Sequence, residues 1–68
     1  MLLKITVEEN GNSTEVNFKE SIDASDLLES LGRHPDGHIV IRDDLPIPLT
    51  ETLLDGDRIR IIRVASGG

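Results

Sequence analysis

The chain has no cysteine, tryptophan or tyrosine, and in 68 residues it has one phenylalanine (Phe18) and two histidines (His34 and His38). Without cysteine there is no disulfide frame, no thiol nucleophile and no thiolate metal site. Two histidines leave little for metal or general-base chemistry, so neither a metal nor a cofactor is expected. A single aromatic ring gives no stacking platform for single-stranded nucleic acid. Seven lysines and arginines face 13 aspartates and glutamates, a net charge of -6. Phosphate binding relies on clustered cations, so no nucleic-acid partner is expected. No apolar run approaches the roughly 20 residues of a membrane-spanning helix, and no signal peptide is visible. The expected setting is therefore cytoplasmic, away from membranes. So short a chain, without a nucleophile or an obvious pocket, reads as a partner for enzymes and not as an enzyme.

What is present is pattern. Leu3, Ile5 and Val7 alternate with Lys4, Thr6 and Glu8, the period of a half-buried strand. Asn10-Gly11-Asn12 signals a turn, and Thr14, Val16 and Phe18 then alternate with Glu15, Asn17 and Lys19, which predicts a β-hairpin. Asp23 is placed to cap a short helix over roughly residues 24 to 31, with Asp26 in its first turn, Leu27, Leu28 and Leu31 as its apolar stripe and Gly32 as its stop. Ile22 and Leu27 occupy the two positions of a hydrophobic staple.

His38 to Arg42 forms a third strand, with Ile39 and Ile41 predicted inward. Asp43-Asp44 turns the chain, and Pro46 and Pro48 allow at most a short edge strand near Ile47. Thr50 to Leu54 is expected to form one helical turn, with Leu49, Leu53 and Leu54 covering the end of the core. Asp55-Gly56-Asp57 then turns the chain into a last strand, Arg58 to Val64, with Ile59 and Ile61 inward. One helix must cover one face of one sheet, an α+β arrangement in which the last strand runs parallel to the first.

After Val64 the sequence Ala65-Ser66-Gly67-Gly68 offers nothing that packs. Glycines at 67 and 68 give a slim end that enters a narrow site without a Cβ in the way. The expected division is a domain over residues 1–64 and a flexible tail over 65–68. A frayed terminus is the plain alternative for such an end.

Taken together, the order of elements, the length and the ending Leu54-Asp55-Gly56-Asp57-Arg58-Ile59-Arg60-Ile61-Ile62…Gly67-Gly68 resemble the ubiquitin-like sulfur carriers of β-grasp fold. These include the thiamine-pathway carrier ThiS, the molybdopterin-synthase small subunit MoaD and the small archaeal modifier proteins. Ile62 stands where the bacterial carriers usually have Phe, and Ser66 where they have Ala, so the ending looks closer to the archaeal modifiers.

The resemblance implies a mixed sheet of four to five strands with one helix packed across one face. It also implies an ATP-dependent activating enzyme that adenylates the carboxylate of Gly68, with Gly67 as the approach. The adenylate then leads to a thiocarboxylate, for thiamine, molybdopterin or tRNA thiolation, or to an isopeptide bond with a lysine. The implied partners are that enzyme and either a sulfur-accepting enzyme or lysine acceptors on proteins. The competing reading is a ubiquitin-like interaction module whose tail is not activated.

A binding face should accompany the tail. With Ile59 and Ile61 inward, Arg60, Ile62 and Val64 are expected on the open face of the sheet. The predicted parity of the third strand adds Val40 and Arg42 to them, giving an apolar patch rimmed by arginine.

Overall fold

A computed structural model describes residues 2–65. Strands β1 (Leu3–Glu9) and β2 (Asn12–Phe18) form the predicted hairpin, paired antiparallel from Leu3↔Phe18 to Glu9↔Asn12. Its two-residue loop, Asn10-Gly11, has both φ angles positive (53° and 80°), which matches the twist of the strands it joins. Helix α1 (Ala24–Ser30) follows, then a 3₁₀ turn over Pro35–Gly37. β3 (His38–Arg42), β4 (Leu45–Ile47) and β5 (Arg58–Arg63) complete a five-stranded sheet in the order β2-β1-β5-β3-β4. The last strand lies in the middle, parallel to β1 through Thr6↔Arg58 to Glu8↔Arg60 and antiparallel to β3.

Both ends of the helix are closed by local chemistry. Asp23 accepts from the Asp26 N–H at 2.8 Å, and the Asp26 carboxylate accepts from the Asp23 N–H at 3.1 Å, a reciprocal capping box. At the other end Gly32 sits at φ +73°, and the Arg33 N–H reaches the Leu28 carbonyl at 2.8 Å while the Gly32 N–H reaches that of Glu29. These two bonds satisfy carbonyls that the helix itself leaves free.

The core lies between the helix and one face of the sheet: Ile5, Val7, Ala24, Leu27, Leu28, Val40, Leu53, Ile59 and Ile61 are buried. Val16, Phe18, Ile22, Leu31, Ile47 and Leu49 pack around them. Among the described residues no helix is long and apolar enough to cross a membrane.

Three expectations are corrected. The parity of β3 is the reverse of the predicted one: Val40 is 1% exposed and Ile39 is 39% exposed, with Ile41 half-buried. Register is the cause, since Val40 pairs with the inward Ile61 while Ile39 pairs with the outward Ile62.

Residues Thr50 to Leu54 do not form a helical turn. The helix N-terminus needs acceptors, and this segment and the turn before it supply them: the Ala24 N–H bonds the Glu51 carbonyl and the Ser25 N–H that of Leu49, both at 3.0 Å. The Leu53 N–H in turn bonds the Ile22 carbonyl. Finally, Leu53 is buried and Leu49 partly so, but Leu54 is exposed.

Candidate partner-binding site

On β5 the side chains of Ile59 and Ile61 enter the core, so Arg58, Arg60 and Ile62 lie on the face away from the helix. Cross-strand pairing then fixes their company. Ile62 stands opposite Ile39, and Arg60 is flanked by Ile41 on β3 and Glu8 on β1. Pro46 of β4 pairs with Ile41 and extends the same face to the edge. Ile39 and Ile62, at 39% and 40% exposed, form an apolar pair that water reaches. Arg58 bonds Glu8 at 3.2 Å, while Arg60 is exposed and makes no ion pair among the described residues. A cavity of about 210 Å³ opens beside Arg60, lined by Glu8, Ile41, the Asp43-Asp44 turn, Arg58 and Ile59.

Beyond β5 the chain stays attached for one more residue. The Val64 N–H donates to the Gly37 carbonyl at 2.9 Å, next to the Arg63↔His38 pair. Val64 is half-buried, and the Ile39–Ile62 pair therefore lies at the root of the C-terminal segment. Gly67 and Gly68, the residues predicted to react, lie outside the described residues, as does most of the predicted 65–68 tail.

The model of one family, the ThiS family, matches residues 2–68 of this sequence. The chain belongs to the ThiS family. Small proteins of that family are generally not catalytic.

An uncharacterized protein of the archaeon Archaeoglobus fulgidus is 39% identical over 44 residues, which is 65% of this chain and 64% of that protein. The match thus spans less than two thirds of the relative. Solved structures share the fold at lower identity. Caldiarchaeum subterraneum ubiquitin aligns over the whole of both chains with a TM-score of 0.72 and 19% identity. SAMP1 from Haloferax volcanii also aligns over the whole of both, with 0.65 and 19%. The thiamine biosynthesis protein ThiS from Geobacter metallireducens gives 0.63 and 22%, over 93% of this chain and 99% of that one.

Of the face residues predicted for this ThiS-family chain, Arg60 and Ile62 are on the open face. Val40 and Arg42 are not. Val40 is core, and Arg42, on the same side of β3, reaches three acceptors at the rim of the core: Glu51 at 2.6 Å, Asp57 at 3.3 Å and the Thr52 carbonyl at 3.3 Å. The Glu51 hydrogen bond, reinforced by Asp57, raises the guanidinium pKa further, so the charge is fixed. Asp57 also accepts from the Leu54 N–H at 2.8 Å, and Asp55 from the Lys4 N–H at 2.8 Å. The Asp-Gly-Asp turn that opens the family-like ending is therefore a structural clasp onto β1 and β3.

Ile39 and Ile41 are the face residues that the alternation missed. One signal in the sequence pointed to them: Pro46 marks β4 as an edge, so β3 is internal and its Ile-Val-Ile run has apolar residues for both faces.

Proposed function

We propose that the chain acts as a cosubstrate through the carboxylate of Gly68. A carboxylate is a poor electrophile, and a partner enzyme must activate it. A carboxylate oxygen attacks the α-phosphorus of ATP and pyrophosphate leaves, giving an acyl-adenylate. A sulfur nucleophile at the sulfide level then displaces AMP and leaves a thiocarboxylate. A lysine amine displacing AMP would instead form an isopeptide bond and release a proton. The chain contributes no acid, base or metal to these steps; its part is to be recognised and to place its end.

The observation that carries this reading is the family match, which runs through Gly67-Gly68. The exposed Ile39–Ile62 pair at the root of that segment supports it, with Arg60 beside it and Val64 completing the exit. We assign the partner face to Ile39, Ile41, Arg60, Ile62 and Val64. Gly68 is the sixth residue after Ile62, so an enzyme gripping this face must hold its ATP within about 20 Å of Ile62.

The test is the intact mass after incubation with ATP and the activating enzyme. One sulfur in place of one oxygen establishes the thiocarboxylate, and lysine-linked products of higher mass establish conjugation. A variant with one residue added after Gly68 should not be adenylated. Wild-type pyrophosphate exchange by that variant would show that the Gly68 carboxylate is not the reacting group.

A further inference from the structure

The outer edge of β2 has the makings of a second binding site, and its geometry is independent of the reading above. The Thr6 N–H bonds the Asp57 carbonyl at 3.0 Å and the Lys4 carbonyl accepts from the Gly56 N–H at 2.8 Å, so the backbone groups of these β1 residues turn toward β5. Alternation then turns those of Ile5 and Val7 toward their β2 partners Val16 and Thr14. On β2 the N–H and C=O groups of Ser13, Glu15 and Asn17 consequently face outward. The strand keeps one register over seven residues and contains no proline. The opposite edge is different: β4 has three residues, one of them Pro46, and Pro48 follows, which is how an edge is protected against pairing.

A groove of about 300 Å³ lies between this hairpin and the end of the helix. Val7, Thr14 and Leu31 line its apolar part, and Glu9, Asn12 and Arg33 line its polar rim. The Arg33 cation is already held by Glu9 at 2.8 Å. Over residues 1–32 as a whole the chain carries two lysines against seven acids, with Glu15 exposed on the edge strand itself.

We propose that this edge receives an extended, positively charged segment of another protein, which adds to the sheet as a sixth strand. Its apolar side chains lie on the helix side, against Thr14, Val16 and the groove. Its cations, at alternate positions, lie on the open side beside Glu15. A second copy of the chain is a poorer occupant. Full antiparallel overlap of two β2 strands sets Glu15 opposite Glu15, and each copy brings a net charge of -6.

The experiment is a titration of isotope-labelled protein with a synthetic heptapeptide alternating valine and lysine, against one alternating valine and glutamate. The lysine peptide should shift the amides of Ser13, Glu15, Asn17, Leu31 and Arg33, with binding that weakens as salt rises, while the glutamate peptide leaves them in place. Asn17→Pro removes an outward N–H without touching the bonds to β1. It should keep the thermal midpoint and weaken the lysine peptide about fivefold or more. Thr14→Arg, at an exposed position that borders the groove, should weaken it too and serves if the proline variant folds poorly. Absence of shifts along β2, or shifts confined to the Ile39–Ile62 face, would overturn the proposal. So would shifts that follow protein concentration alone, which would make this edge a contact between copies.

Discussion

Arg42 carries its charge to the rim of the core because three acceptors meet it there, and its removal leaves Glu51, Asp57 and the Thr52 carbonyl without that donor. Asp57 is the most enclosed of the three and also holds the Leu54 N–H. Arg42→Ala should therefore cost about 1–3 kcal/mol, and Arg42→Lys should recover only part of it, since an ammonium cannot reproduce the fork. A thermal midpoint for Arg42→Ala equal to that of wild type would show that water replaces the guanidinium freely. The Glu9–Arg33 pair behaves differently because it titrates. The Arg33 hydrogen bond holds the Glu9 carboxyl below the usual glutamate range. A lowered folded value means that the stabilisation is complete above the ordinary range and is lost as pH falls through the lowered one. Melts of wild type and Arg33→Ala should differ at neutral pH and converge in acid. A gap that persists unchanged into strong acid would assign the role of Arg33 to its packing on the helix end, not to its charge.

At the scale of elements, the strand that sequence pattern misplaced is the one that separates core from surface. In β3 the central residues are Ile39, Val40 and Ile41, all β-branched and apolar, so alternation gives no sign and two isoleucines outvote one valine. The register against β5 decides instead, and that is a non-local fact: Val40 meets Ile61. Val40→Ala should cost about 1.5–3 kcal/mol and Ile39→Ala under about 1 kcal/mol, measured by denaturant unfolding. The reverse ranking would restore the parity that the sequence pattern suggested. By contrast, the hairpin, the capping box, the glycine stop and the parallel pairing of first and last strands were legible. Each is written in a local signal or in a chain-reversal rule, as Asn10-Gly11, Asp23 with Asp26, and Gly32 illustrate. The Thr50–Leu54 segment was not legible, because its conformation is set by bonds to Ala24 and Ile22, residues far away in the chain. The face was half-legible for the same reasons: Arg60 and Ile62 follow from β5 alone, whereas Ile39 and Ile41 require the pairing of β3.

On the scale of the whole molecule, one sheet presents two surfaces that share a core but no side chains. The open face of β5 and β3 gathers Ile39, Ile41, Arg60 and Ile62 at the root of the C-terminal segment. The free edge of β2 lies beyond β1 on the other side of the sheet. If the face is what the activating enzyme grips, charge placed there should act on recognition and not on folding. Ile62→Asp and Ile39→Asp should each lower the rate of ATP–pyrophosphate exchange about tenfold or more at limiting carrier, with only small changes in thermal midpoint, because both side chains are already in contact with water. Arg60→Glu should slow association and alter its salt dependence, as expected for an exposed charge at a rim. Asn17→Pro on the β2 edge should leave exchange at the wild-type rate. If the edge variant slows exchange as much as the face variants do, the enzyme grips the whole sheet and the division into two surfaces is wrong. If none of the face variants slows it while the Gly68 extension does, the enzyme reads only the C-terminal segment, and Ile39 and Ile62 are exposed for some other partner.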